Sequence, residues 1–182
     1  MKKVGIFFAT GYEEIEALTV VDLLRRVQIE AVCVSIDNQK MVEGAHGINV
    51  EMDADIDEVN FDEFDMLVCP GGMPGTRNLE ACTKLTSKIR EFYEGGKLVG
   101  AICAAPMIFG HMGILKGKKA CIFPGMESEL DGAVVCYDNV VKTDNVITSR
   151  GMGTAIDFGL EIIAALIDRD TADELGKKIV HS

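Results

Sequence analysis

The chain has 182 residues, 48% of them hydrophobic, with 29 acidic side chains against 18 Lys or Arg and a formal net charge of −11. Such a length fits a single domain over residues 1–182 with a sizeable core. The acidic balance excludes a general nucleic-acid binder, and no apolar run is long enough to span a membrane.

The first eight residues, Met-Lys-Lys-Val-Gly-Ile-Phe-Phe, carry no long apolar region, and Glu13, Glu14 and Glu16 follow too soon for a signal peptide. A cytoplasmic protein is expected. The six cysteines (33, 69, 82, 103, 121 and 136) show neither Cys-x-x-Cys nor zinc spacing, and several sit inside apolar runs. They read as reduced core residues, with no metal site and no cofactor expected.

Residues 4–9 predict a buried strand. Thr10-Gly-Tyr12 is a turn, and apolar positions 17, 18, 20, 21, 24 and 27 follow a helical spacing. Residues 30–36 predict a second buried strand. The alternation over 37–53, with Gly44 and Gly47, predicts a small hairpin or loop excursion. A third strand, 66–69, runs into Pro70-Gly-Gly-Met-Pro-Gly75, and 76–94 is helical in composition, in one or two pieces. Gly95-Gly96 stops it.

The strand 98–102 then meets Cys103, and a helix is expected over 104–113 with Pro106 in its first turn. Residues 119–123 predict another strand. Short β-rich pieces at 133–137, 140–143 and 146–149 are separated by Asp138-Asn139 and Asp144-Asn145 turns. Gly151-Met-Gly-Thr154 opens a long helix to about 168, and Thr171 with Glu174 forms a capping box for a last one. Alternating strands and helices predict an α/β sandwich: a mostly parallel central sheet with helices on both faces and some antiparallel pairing near 133–149. Ligands in such sheets bind beyond the C-terminal strand ends.

Cys103 stands at one of those ends. A buried, inert thiol is the plain reading. The strand–cysteine–helix order and the small neighbours Ala101, Ala104 and Ala105 favour a reactive one. Free N–H groups at the helix start favour negative charge, so the thiol there should deprotonate more easily. Gly71 and Gly72 offer amides to an oxyanion, together with the N–H of Ala104. Glu13 and Glu14 suit a helix start with no further role. Glu16, between Ile15 and Ala17, is placed to point inward, where burial beside a thiolate keeps it protonated. His46, His111 and His181 read as ordinary surface or structural residues. His111 lies about 12 Å along the helix from Cys103, too far for a Cys–His pair. Gly151-Met-Gly-Thr154 reads as a tight turn that leaves Arg150 near the site.

Gly11-Tyr-Glu-Glu-Ile-Glu-Ala17, Pro70-Gly-Gly-Met-Pro-Gly75, Ala101-Ile-Cys-Ala-Ala-Pro106 and Thr148-Ser-Arg-Gly-Met-Gly-Thr154 occur in this order. Together they resemble the ThiJ/PfpI superfamily, in the branch of YajL and the parkinsonism-associated deglycase. The resemblance implies a flavodoxin-like fold, a homodimer, Cys103 as an oxidisable nucleophile, and Glu16 as its protonated partner. It also implies an oxyanion site from the Gly72 and Ala104 amides, and a place for Arg26 near a dimer interface. Protease-like relatives carry His where this chain has Ala104, and other relatives carry one near Phe123-Pro-Gly-Met126. The expected function is a glutathione-independent glyoxalase or deglycase acting on small 2-oxoaldehydes or glycated substrates. A redox sensor or chaperone is the alternative, and a cysteine peptidase or amidase a weaker one.

Overall fold

A computed structural model describes residues 1–181. The first half of the chain runs β1 (Lys3–Phe8), α1 (Glu14–Arg26), β2 (Glu30–Ser35), β3 (Met41–Glu43), β4 (Asn49–Glu51), β5 (Ala54–Asp55), β6 (Met66–Cys69), α2 (Gly75–Ala81) and α3 (Thr83–Glu94). The second half runs β7 (Leu98–Ile102), α4 (Pro106–His111), β8 (Lys119–Ala120), β9 (Val134–Val135), β10 (Val140–Thr143), β11 (Val146–Ser149), α5 (Ala155–Leu166) and α6 (Arg169–Lys178).

The main sheet has seven strands in the order β10-β11-β7-β6-β1-β2-β5. All its pairings are parallel except β10 with β11, so the antiparallel step falls inside the 133–149 segment, as expected. The strands are apolar because both faces are covered. Val4, Ile6 and Phe8 of β1 face a core shared with α1, α5 and α6, while Phe7 faces a second core under α2, α3 and α4. β6 divides the same way, with Met66 and Val68 on one side and Leu67 and Cys69 on the other. The fold is a flavodoxin-like sandwich.

The hairpin expected over 37–53 forms as β3 and β4, with Val42 opposite Val50. Three expectations shift. The strand predicted over 119–123 keeps only two residues, which pair with β9 outside the main sheet. The next residue, Cys121, turns its N–H to the Thr148 side-chain oxygen at 3.1 Å. The last helix starts before Thr171: Asp168 is its N-cap, accepting from the Thr171 N–H at 2.8 Å. The helix after the cysteine is shorter than expected, six residues from Pro106, and Pro106 does stand in its first turn.

Among the described residues, no helix is long and apolar enough to cross a membrane.

Candidate active site

The strand order reverses direction at β1 and β6, where the chain leaves β1 toward β2 on one side and β6 toward β7 on the other. The loops after these strands therefore border the crevice where this architecture places its ligands. They are stitched together by backbone bonds: Glu13 donates to the Gly71 carbonyl at 2.9 Å, and Gly75 to that of Gly11 at 3.2 Å. Cys103 follows the adjacent strand β7.

Cys103 has a φ of +64°, the left-handed region that a residue with a Cβ adopts at a cost of about 1–2 kcal/mol. The neighbouring backbone holds it there. Its N–H donates to the Ser149 carbonyl at 2.9 Å, and its carbonyl accepts from the Phe123 N–H at 2.8 Å. The strain turns the side chain out of the strand's alternation and sets it over the strand ends, the geometry of a nucleophile elbow. The residue is 8% exposed, enough for a small reagent to reach.

Glu16 lies on the inner face of α1, 0% exposed. Its carboxyl faces the Cys103 sulfur closely enough for each to bias the other's protonation. Oε2 accepts the Gly71 N–H at 2.9 Å, whereas Oε1 has no hydrogen-bond partner among the described residues. A bare carboxylate oxygen in a dry site is costly, and a protonated one is far less so. Burial pushes Glu16 up to about 7 against the hydrogen bonds that favour its charge. Burial and then the Glu16 charge likewise push the Cys103 thiol up, opposed by the amides of Ala104 and Gly72. The helix start alone therefore does not free the thiol. Each negative charge raises the cost of the other, so the pair gives up its protons one at a time.

The expected donors divide their work. The Ala104 and Gly72 amides act on the sulfur. The Gly71 amide is spent on Glu16, which corrects its assignment to the oxyanion. Gly71 contributes something else: a Cβ there would stand 2.6 Å from both Cys103 Cβ and Glu16 Oε2. Only a glycine lets carboxyl and thiol approach across this loop.

The arginines stand apart from the sulfur. Arg150 follows β11, but its Nη1 donates to the Tyr137 carbonyl at 3.2 Å. Arg26 pairs with Asp22 at 2.6 Å on the exposed end of α1, about 15 Å along the helix from Glu16. The histidines are likewise engaged elsewhere. His111 bridges Glu80 and Glu129, and His181 bonds Asp157 at 2.7 Å.

His46 is exposed, as a surface histidine should be, and it has two acidic neighbours. The β3–β4 turn brings it onto Glu13 and Glu14, with ligand atoms of all three within 4.8 Å of one another. A separation of 32 residues between His46 and Glu14 hides this from any spacing argument.

The model of the DJ-1/PfpI family matches residues 2–165. The chain belongs to the DJ-1/PfpI family. Protein DJ-1 homolog A of Arabidopsis thaliana is 39% identical over 166 residues, covering 91% of this chain but 42% of that relative, so the chain spans less than half its length. A Caenorhabditis elegans protein named glutathione-independent glyoxalase DJR-1.2 is 31% identical, covering 92% of this chain and 89% of its own. The structure of oxidized Toxoplasma gondii DJ-1 superimposes with a TM-score of 0.96 at 30% identity, covering 100% of both chains.

Proposed function

We propose that this DJ-1/PfpI chain is a cysteine-dependent enzyme acting on small 2-oxoaldehydes or the glycation adducts they form, a glyoxalase or deglycase. The observation that carries the reading is the strained Cys103 facing a buried, half-unpartnered Glu16. When the shared proton rests on Glu16, the sulfur is a thiolate held by two amides, without any histidine. The naming of the C. elegans relative supports the same chemistry.

Methylglyoxal is one such substrate. The Cys103 thiolate adds to the aldehyde carbon, and the new oxyanion is held by the Gly72 and Ala104 amides. Glu16 supplies the proton to that oxygen. It then carries a proton from the former aldehyde carbon to the neighbouring ketone carbon, while the proton on the former aldehyde oxygen passes to the ketone oxygen. The aldehyde carbon is thereby oxidised to a thioester and the ketone reduced to an alcohol. Water cleaves the thioester, releasing lactic acid and restoring the thiolate, and its remaining proton returns to Glu16. The net change is addition of one water.

A second reading rests on the same two amides, which would hold the oxygens of a sulfinate formed by peroxide; this favours a redox sensor with Cys103 as its element. The six cysteines are all free, which suits a reducing compartment such as the cytoplasm. Exposed Ile156 beside Arg26 supports a homodimer through the α1–α5 face.

The test is lactate formation from methylglyoxal without glutathione. Turnover should fall at least a thousandfold in Cys103→Ser and at least a hundredfold in Glu16→Gln, the range for losing a proton carrier. Turnover in wild type that survives Cys103→Ser, or no turnover in wild type, would overturn the enzyme reading.

A further inference from the structure

Where α1 begins, two neighbouring glutamate side chains are largely buried. The side chains of Glu13 and Glu14 are 8% and 5% exposed. Buried charges of one sign need a counter-charge or strong hydrogen bonds. Glu14 has them: Oε1 accepts the His46 N–H at 2.7 Å, and Oε2 lies 2.9 Å from His46 Nδ1. The Glu13 carboxylate makes no hydrogen bond among the described residues. Its nearest cationic group is the same His46 Nδ1, at 3.7 Å. One imidazole thus faces two buried carboxylates, and at least one negative charge is left over. No Lys or Arg pairs with either glutamate among the described residues.

The ligand atoms of Glu13, Glu14 and His46 all lie within 4.8 Å of one another. A tetrahedral zinc ion with bonds of about 2.0–2.1 Å holds its ligand atoms roughly 3.3 Å apart. Separations of 2.9 Å and 3.7 Å from His46 Nδ1 straddle that value. One imidazole and two carboxylates suit a borderline first-row ion, and three protein ligands leave a position open.

The frame is built rather than accidental. The turn carrying His46 is tied to the loop before α1 through Gly11 N–H to the Glu43 carbonyl at 2.9 Å and Ala45 N–H to that of Tyr12 at 2.8 Å. The turn packs directly on Glu14: a Cβ at Gly44 would stand 2.4 Å from its Cδ. The Glu14 carboxylate is therefore fixed both by backbone hydrogen bonding and by contact.

We propose that Glu13, Glu14 and His46 form a binding site for a single divalent cation of the zinc class, with water at the open position. Binding forms an Nδ1–metal bond and two carboxylate–metal bonds. Any proton on Nδ1 is released to solvent. This proposal does not depend on what Cys103 does.

Cobalt(II) is a suitable probe, because its paramagnetism broadens nearby amide signals. In the ¹⁵N-labelled protein, one equivalent of Co²⁺ should broaden the amides of residues 12–15 and 44–47, and equimolar Zn²⁺ should restore them. The Co²⁺ needed for half-broadening should rise at least tenfold in Glu13→Gln and in His46→Ala. His46 is largely exposed, so its loss should leave the remaining spectrum in place. Should that variant disturb the spectrum widely, the near-isosteric Glu13→Gln decides. Broadening centred on Cys82 or Cys136, no broadening, or an unchanged midpoint in Glu13→Gln would overturn the site.

Discussion

β6 and β7 lie side by side, with Cys69 opposite Ala101, and each strand runs into a cysteine. Cys69 stays within the regular strand, 0% exposed, facing the core under α2, α3 and α4. Burial pushes its thiol up to about 12, with Cys82 adding a little. Cys103 lies just beyond its strand and turns over the sheet's end, where it meets a carboxyl and two amides. Burial acts on both sulfurs. What separates them is the neighbouring titrating group: Cys69 is influenced by the thiol of Cys82, and Cys103 faces the carboxyl of Glu16. The contrast teaches that two buried thiols differ when one of them is buried together with a second titrating group.

The comparison breaks most sharply at Gly71. Gly71→Ala puts a methyl where Cys103 Cβ and Glu16 Oε2 already stand, each 2.6 Å away. Displacing either group by an ångström separates the pair, so kcat/KM for methylglyoxal should drop about a hundredfold. Stability should fall by about 1–3 kcal/mol, the usual range for overpacking. Unchanged kinetics would mean that the close approach is not needed.

A smaller effect tests the helices behind the two cysteines. His111 at the end of α4 reaches Glu80 of α2 and Glu129, and the hydrogen bond to Glu80 raises its pKa above 6.5. A raised folded value means that the charged imidazole stabilises the fold. That contribution is complete below about pH 6.5 and is lost as pH rises through the folded pKa. The Tm difference between wild type and His111→Gln should therefore be larger at pH 6 than at pH 9. A difference that grows with pH would contradict the clamp.

Most of the fold was legible because its strands are short apolar runs closed by Gly, Pro or Asn, and because the helical spacing of α1 is regular. The errors arose where local signals competed. Thr171 and Asp168 both offer a capping side chain, and tertiary placement chose Asp168. The run 119–123 reads as a strand, yet Thr148 draws Cys121 away from strand pairing. At the site, Cys103 and Glu16 could be singled out from small neighbours and flanking apolar residues. The use of the Gly71 amide could not, since it depends on which of two adjacent N–H groups faces α1. The meeting of His46 with Glu13 and Glu14 depends on how the β3–β4 hairpin docks, which no local pattern encodes.

The most direct measurement is the order in which the six cysteines are alkylated by limiting iodoacetamide at neutral pH, read by peptide mass spectrometry. Exposure alone would put the half-exposed Cys82 and Cys136 first. Cys103 should react first, at least tenfold faster than either, because its proton can rest on Glu16 while the sulfur stays charged. If Cys82 and Cys136 react before Cys103, burial governs this thiol as it governs Cys69, and the account is wrong.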